Sequence, residues 1–513
     1  MVAANFPWLT VLVALPAAGA ALLGFVPPLR RSAGRLVALA IALVELVLGV
    51  YAAATAFNWS APASYQLYES RTWIPQMGVT WSLGVTSLGL VMILLALALV
   101  PIVLVAGWDE NEDRGAYPAL VLALQAFMVL IFGAYDLVVF YVAFEAMLVP
   151  LYLMIGRYGV GDEAARHKAA MKFLLYSLFG GLVMLGGIIY LWAKASATPM
   201  DVTTFFRMDQ LTQVLPNLPV SMQMVIFATF MVAFAIKAPM VPVHTWLPDT
   251  AAVARPGTSV LLVGVLDKIG TFGMITMCLQ LTPGASASAK WAMCVLAVIS
   301  ILWGGLSANG QNDIMRLVSY TSVSHFGFMV LGTFIGSQIA LVGAMFYMVA
   351  HGVSIAAMFL LSGWLSARGG TQDMREYVGM QRVTPVLAGL WLMSGLASIA
   401  LPGLSGFVPE YLVLMGTWTV SGPLALFAVL GVVIAAMYIL MPYQRVFTGA
   451  PGKGKEELAD LGARERCVMT PLVIAMLVLG IWSAPLVSAL TPVASDLDLA
   501  TSQVGATAEG SAQ

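Results

Sequence analysis

The sequence predicts an all-α polytopic membrane protein with about fourteen transmembrane helices, arranged as two inverted five-helix repeats (helices 4–8 and 9–13) in which helices 7 and 12 are broken. Three observations carry that prediction. Of 513 residues, 60% are hydrophobic and only 10% charged, against roughly 45–50% and about 25% in an ordinary soluble protein. The apolar residues come in runs, with no Asp, Glu, Lys or Arg between Arg71 and Asp109, Asp209 and Lys237, Arg316 and Arg368, or Glu410 and Arg445. Each run exceeds the roughly 20 residues that cross a hydrocarbon core. Finally, two of the spans, five apart in the order, are interrupted by proline beside an ionisable residue.

Turns and charge clusters set the boundaries. They place spans near 8–26, 36–57, 85–106, 117–134, 137–156, 169–193, 221–248, 256–281, 290–307, 314–335, 338–363, 384–420, 423–448 and 468–490. The first is read as a retained helix rather than a cleaved leader, because no Lys or Arg precedes it and Arg30, Arg31 and Arg35 follow it. The run after Arg316 divides into two spans at Gly336-Ser337-Gln338. Grouped by repeat, residues 1–113 hold helices 1–3, residues 114–285 the first repeat, residues 286–450 the second, and residues 451–513 a loop, helix 14 and a short tail.

Basic residues fix the orientation. With the loop after span 1 on the cytoplasmic side, that side collects 18 of the 24 Lys and Arg. The other side takes 4, Arg71, Lys194, Arg207 and Lys290, and Lys237 and Lys268 fall inside spans. The positive-inside rule then puts both termini outside and supports an even number of spans. A net charge of -1 argues against nucleic acid as a partner. Three cysteines without a CxxC pair, Cys278, Cys294 and Cys467, leave a disulfide framework, a structural zinc and an iron–sulfur cluster without ligands. GAPGKGKE from Gly449 imitates a phosphate loop but has Glu456 where Ser or Thr would hold magnesium, and no strand precedes it. Asp109–Asp113 and Lys453–Arg466 read as solvated loops, and the 30 methionines as packing.

Buried charges are the informative residues, since one at the bilayer centre costs at least about 2.5–3.5 kcal/mol. Glu145 lies nine residues past Asp136, Lys237 and Lys268 lie midway along spans 7 and 8, and Glu410 lies well inside span 12. FAIKAPMVPVHTWLPDT, from Phe234, sets Pro239 and Pro242 just after Lys237. LPGLSGFVPEYL, from Leu401, sets Leu-Pro-Gly and Pro409 just before Glu410. Proline removes a helix hydrogen bond, and backbone freed at membrane depth survives only where protein or a lined cavity satisfies it. Span 5 with Glu145 and span 10 with His325 are also five apart, so each repeat carries a broken helix and an ionisable group at matching places. An ion path follows.

The chain resembles the M-type antiporter-like membrane subunits of proton-pumping NADH:quinone oxidoreductase, respiratory complex I. The resemblance covers spans 3 to 14 and rests on FEAMLVPLYLMIGRYG at Phe144, HKAAMKFLLYSLFGGLVMLGG at His167, the two broken segments, and SYTSVSHFGFMVLG at Ser319. It implies the helix-5 carboxylate at Glu145, the broken-helix lysine at Lys237, the central lysine at Lys268 and the exit group at Glu410. L- and N-type relatives carry lysine at the last place, and the L-type continues into a long lateral helix, so Glu410 and the short tail favour the M type. It further implies a bacterial inner (plasma) membrane location and L-type and N-type partner subunits, with the L-type lateral helix alongside. NADH, FMN, iron–sulfur clusters and quinone would sit in partner subunits, with no redox centre or quinone site on this chain. Protons would be the cargo.

Each residue has a competing structural reading. Glu145 with Lys237 could be a locking ion pair, Lys268 could pack on carbonyls, and Glu410 could face an interface. His325, His351 and His244 could relay protons near neutral pH or simply bond between helices. His167 reads as solvated. Asp136 suits a helix N-cap, and Glu45, outside both repeats, could face a neighbouring subunit. VLDKIGTFGM from Val265 departs from the family, with Asp267 directly before the central lysine. Adjacent helix residues point about 100° apart, and a permanent charge beside Lys268 would stop it titrating. Asp267 is therefore expected to turn away from the axis toward hydroxyls or backbone. Two other function classes stay open: a subunit of a multisubunit Na⁺/H⁺ antiporter, and a secondary transporter of an organic solute.

Overall fold

The computed structural model describes residues 6–108, 116–195, 202–452 and 454–510. The expected acidic loop 109–113, Arg114 and Lys453 lie outside them. Among the described residues, twelve helices are long and apolar enough to cross a membrane. They are spans 1 to 11 and 13: Trp8–Phe25, Pro27–Thr55, Ser87–Ala106, Ala116–Gly133, Leu137–Gly156, Glu163–Lys194, Val220–Lys237, Pro256–Leu279, Pro283–Asn309, Ile314–Phe334, Gln338–Gly369 and Gly422–Phe447. Span 12 is divided into Pro385–Ser398 and Phe407–Val420, each of 14 residues and too short to cross alone. Span 14 is Ala463–Ile481, bent by 67° from a following helix.

Burial sorts these helices into a centre and a rim. The apolar stretch of span 11 is 100% buried within the chain and that of span 8 is 94% buried, whereas spans 1, 2 and 13 bury only 33%. A helix apolar all round and buried all round is a core element. Spans 8, 10 and 11 therefore form the axis of the molecule, and spans 1, 2 and 13 present exposed Leu43, Val47, Leu426 and Val433 to the bilayer. Charges on the central helices can face only protein.

Both breaks are real, and the first is satisfied as helix chemistry requires. Span 7 ends at Lys237, where the Trp246 indole donates to the Ile236 carbonyl at 2.9 Å and the Val241 amide donates to Ser300 Oγ of span 9 at 3.0 Å. The chain then resumes as the short helix Trp246–Val253. Span 8 contains two π-helical turns, Leu262–Leu266 and Met274–Leu279, flanking the six α-helical residues Lys268–Gly273.

Three features depart from the sequence reading. Residues between spans 2 and 3 form an antiparallel hairpin, β1 (Gln66–Ile74) and β2 (Val79–Val85), pairing Arg71 with Trp81. Glu69 on β1 accepts the Leu9 and Thr10 amides at 2.7 and 3.2 Å, capping span 1 from a distance. Second, the tail is helical: Ala484–Gly510 folds back over the starts of spans 3 and 11. Leu490, Val493, Ala494 and Leu497 are buried there, and Ser87 Oγ donates to the Ala489 carbonyl at 2.6 Å. Third, span 6 begins at Glu163, so His167 lies on its first turns rather than in a loop, 60% exposed and 3.9 Å from Glu163.

Candidate functional site

Lys237, Lys268, His325, His351 and Glu410 are buried in the interior, and Glu145 is half-buried beside span 6. Glu145, near the end of Leu137–Ala146, points at span 6, where Gly181 leaves the space it occupies: a Cβ there would fall 1.5 Å from Glu145 Oε1. That oxygen is enclosed and accepts no hydrogen bond among the described residues. The same face of span 5 exposes Val142, Val149 and Leu153, so Glu145 sits close to the lateral edge of the chain.

Lys237 is fully buried at the last turn of span 7. Its ammonium makes no hydrogen bond among the described residues; it lies 5.5 Å from the centre of the Phe144 ring and 5.3 Å from that of Phe173. Aromatic faces attract a cation without binding its protons. The carboxylates whose charges act on it are Asp267 and Glu145. No ion pair within 4.0 Å locks Lys237 to Glu145 among the described residues, so the two are neighbours in a field rather than a clasp.

Asp267 does not turn away. It is fully buried, neither carboxylate oxygen has a hydroxyl or backbone partner among the described residues, and it interacts with both Lys237 and Lys268. The expected orientation assumed an unbroken α-helix. The π-helical turn directly before it, in which the Asp267 amide bonds the Leu262 carbonyl at 2.9 Å, resets the faces of span 8.

From Lys268 onward the groups are joined. Its ammonium donates to the Val263 carbonyl and to His351 Nδ1, the latter at 2.7 Å, and lies 5.3 Å from the Phe326 ring centre. The His351 and His325 rings are 5.1 Å apart, and His325 Nε2 bonds the Tyr438 hydroxyl at 3.0 Å. Tyr347 packs 5.8 Å from His325 and donates to Glu410 Oε2 at 2.7 Å. Glu410 is 4% exposed on the first turn of Phe407–Val420, where the helix dipole favours a carboxylate. Sequence reasoning missed Tyr347 and Tyr438. Tyr347 precedes His351 by one helical turn and so shares its face; Tyr438 carried no such signal.

The other candidates stand apart. His244 is buried beyond the span 7 break, 6.1 Å from the Tyr320 ring. Next to it Asp249 accepts from Lys172 and from Arg316, each at 2.7 Å, tying span 6, the short helix and span 10 together. Asp136 caps span 5, its Oδ1 accepting the Val138 and Val139 amides at 2.9 and 3.3 Å. Glu45, expected to be able to face a neighbouring subunit, is instead fully buried within the chain.

Known proteins resemble this chain along nearly its whole length. Residues 134–435 match the family described as NADH:quinone oxidoreductase/Mrp antiporter, TM. NADH-quinone oxidoreductase subunit M of Mycobacterium tuberculosis is 40% identical over 521 aligned positions, covering 95% of this chain and 93% of that protein. A chain in the structure of respiratory complex I from Thermus thermophilus with bound NADH superposes with a TM-score of 0.86 at 30% identity, covering 96% of this chain and 99% of its own. A chain of the Mrp complex from Dietzia sp. shares the fold at a TM-score of 0.84 with 20% identity, covering 98% and 99%. The chain thus belongs to the NADH:quinone oxidoreductase/Mrp antiporter transmembrane family and, within it, to subunit M of NADH-quinone oxidoreductase.

Proposed function

We propose that this chain carries protons across the membrane for an NADH:quinone oxidoreductase, along the line from Glu145 and Lys237 through Lys268, His351 and His325 to Glu410. The observation that supports this best is the buried row of contacts in which Lys268 bonds His351, His325 bonds Tyr438 and Tyr347 bonds Glu410, with the His351 and His325 rings 5.1 Å apart and the Tyr347 ring 5.8 Å from that of His325. Lys237, Lys268, His325 and His351 are all 1% exposed or less. Groups so placed have no structural use that an apolar side chain would not serve at lower cost.

Burial disfavours an ammonium, and an ionised carboxylate nearby restores it. Displacing or neutralising Glu145 removes one of the charges that hold the proton on Lys237, which then moves toward Lys268 and leaves through Glu410. Moving one charge against 100 mV takes about 2.3 kcal/mol. Electron transfer from NADH through FMN and iron–sulfur clusters to quinone, in partner subunits, supplies it. The exposed apolar edge beside Glu145 suits a neighbouring antiporter-like subunit of L or N type, with the L-type lateral helix lying along the assembly. The resemblance to subunit M suits a bacterial inner membrane, and the 18-to-4 asymmetry of basic residues supports both termini on its outer, periplasmic side. His244 and the Asp249 cluster, on the side assigned as cytoplasmic, suit proton uptake.

The test is to purify the tagged chain from membranes and ask whether NADH:quinone activity comes with it, then to reconstitute that assembly with Glu145→Gln. Coupled pumping in the unaltered assembly and its loss in the variant are expected. Copurification without any NADH-oxidising activity would favour the Na⁺/H⁺ antiporter class instead.

A further inference from the structure

Asp267 is a buried carboxylate that the line of groups above leaves without a part. Span 8 bears two consecutive ionisable residues, which point about 100° apart on a helix. Lys268 faces the second repeat, on His351 and over Phe326. Asp267 faces the first. Gly270, one turn further along the same face, lies against the end of span 7: a Cβ there would come within 2.5 Å of the Ala238 amide nitrogen and 2.6 Å of the Phe234 carbonyl. At Gly273, another turn along, a Cβ would meet the Phe234 ring at 2.4 Å. The face that carries Asp267 is therefore pressed onto the helix end that carries Lys237. Asp267, like Glu145, is a carboxylate whose charge acts on Lys237. Neither carboxylate oxygen is tied by a hydrogen bond among the described residues, so no such bond commits the side chain to one amine over the other.

We propose that Asp267 is a proton-carrying residue of the path, the link between Lys237 at the break of span 7 and Lys268, which leads on to His351 of span 11. The transfer balances without any co-reactant. The Lys237 ammonium gives a proton to the Asp267 carboxylate, leaving a neutral amine and a carboxylic acid. The acid then gives that proton to a neutral Lys268 amine and returns to carboxylate. The negative charge lies between two sites that would otherwise repel one another's protons, so the proton passes in two short steps and the net charge of the three groups stays constant. This inference rests on the proton-path reading above. Its rival is a fixed counter-ion that stays ionised and only holds both lysines charged.

The test uses the whole assembly in sealed vesicles, with NADH oxidation by an artificial acceptor as the measure of intact assembly. Asp267→Asn keeps the shape and removes the titrating group; coupled pumping should fall by about tenfold or more, while Asp267→Glu should keep most of it. The redox-induced infrared difference spectrum should hold a carboxylic-acid carbonyl band that Asp267→Asn removes and Asp267→Glu shifts. Normal pumping by Asp267→Asn would overturn the proposal, and so would lost pumping with no change in that band, the signature of the fixed counter-ion. Should Asp267→Asn fail to assemble, the band shift in Asp267→Glu decides alone. Glu145→Gln separates the two claims: if it stops pumping while Asp267→Asn does not, only the role of Asp267 fails; if both pump normally, the path itself is wrong.

Discussion

The row of buried groups has two halves, a first from Glu145 through Lys237 to Asp267 and a second from Lys268 to Glu410, and they hold their charges in opposite ways. In the second, Lys268, His351, His325, Tyr438, Tyr347 and Glu410 are tied by hydrogen bonds of 2.7 to 3.0 Å or by ring contacts. In the first, Glu145 Oε1, Lys237 and Asp267 make no hydrogen bond among the described residues, and Lys237 is caged by phenylalanine rings. A buried polar group left unpaired costs about 1–3 kcal/mol, and more when it is charged; the second half leaves only the ring nitrogens His351 Nε2 and His325 Nδ1 unpaired, so the first, with its bare ionisable groups, is the more stressed half. A small displacement changes the energy of a bare charge far more than that of one already satisfied. The first half is thus suited to receive a conformational signal from outside the chain, and the second to conduct what the first releases.

The sharpest way to break that comparison is at the junction. Lys268→Ala removes the group through which the unpaired half meets the bonded half, and should abolish nearly all coupled pumping in reconstituted vesicles while the assembly still oxidises NADH with an artificial acceptor. Pumping above half of the unaltered level would mean that the two halves do not work in series. The next largest effect belongs to the stressed half, and one substitution can reach it without touching a charge. Gly181→Ala places a methyl group 1.5 Å from where Glu145 Oε1 now lies, so the carboxylate must move. Gly181→Ala should lose most of its pumping, as Glu145→Gln does, whereas Glu145→Asp, which keeps the charge and gives up one methylene, should be milder than either. Equal pumping by Gly181→Ala and the unaltered chain would show that the position of Glu145 does not matter.

In the bonded half, single losses should be smaller because the string has alternatives. Tyr347→Phe deletes the hydroxyl that donates to Glu410, but His325 still reaches Tyr438, whose hydroxyl lies in the field of Glu410. Pumping should fall only a few-fold, and the Tyr347→Phe, Tyr438→Phe pair should lose more than the product of the two single effects. A pair that is merely multiplicative would show two independent contacts rather than one string.

What the sequence disclosed follows from the solvent. A charge in hydrocarbon is so costly that Glu145, Lys237, Lys268 and Glu410 announce themselves, and charge-free runs between them mark the spans. Proline beside lysine and glutamate marked both breaks. Tyrosine carries no such cost, being ordinary in apolar helices, so Tyr347 and Tyr438 stayed hidden although the Tyr347–His351 spacing was readable. Asp267 was misplaced because helical faces were counted at 3.6 residues per turn through a stretch that is π-helical. The hairpin at 66–85 is short, outside the hydrocarbon and without a compelling alternation, so nothing in the apolar pattern distinguished it from a loop. The tail helix was legible after all, since Leu490, Val493, Ala494 and Leu497 follow the i, i+3, i+4, i+7 spacing of one buried face.

The smallest effect on transport should come from Asp136, which separates charges that carry protons from one that only builds the fold. Its Oδ1 accepts two amides at the start of span 5, and its Oδ2 accepts the Thr80 amide at 2.9 Å and the Thr80 hydroxyl at 3.0 Å, fastening β2 to that helix. Asp136→Asn keeps one accepting oxygen for the cap, but the new NH₂ faces the Thr80 amide, donor against donor, and the tie to the hairpin is lost. Removing a capping carboxylate costs about 1 kcal/mol, with somewhat more where a second donor is left unpaired. The assembled complex should therefore dissociate at a lower temperature on heating, while the protons moved per NADH by the surviving complex stay unchanged. A lower pumping ratio in Asp136→Asn at unchanged thermal stability would reverse the assignment. It would place Asp136 among the conducting groups and extend the stressed half of the path to the start of span 5.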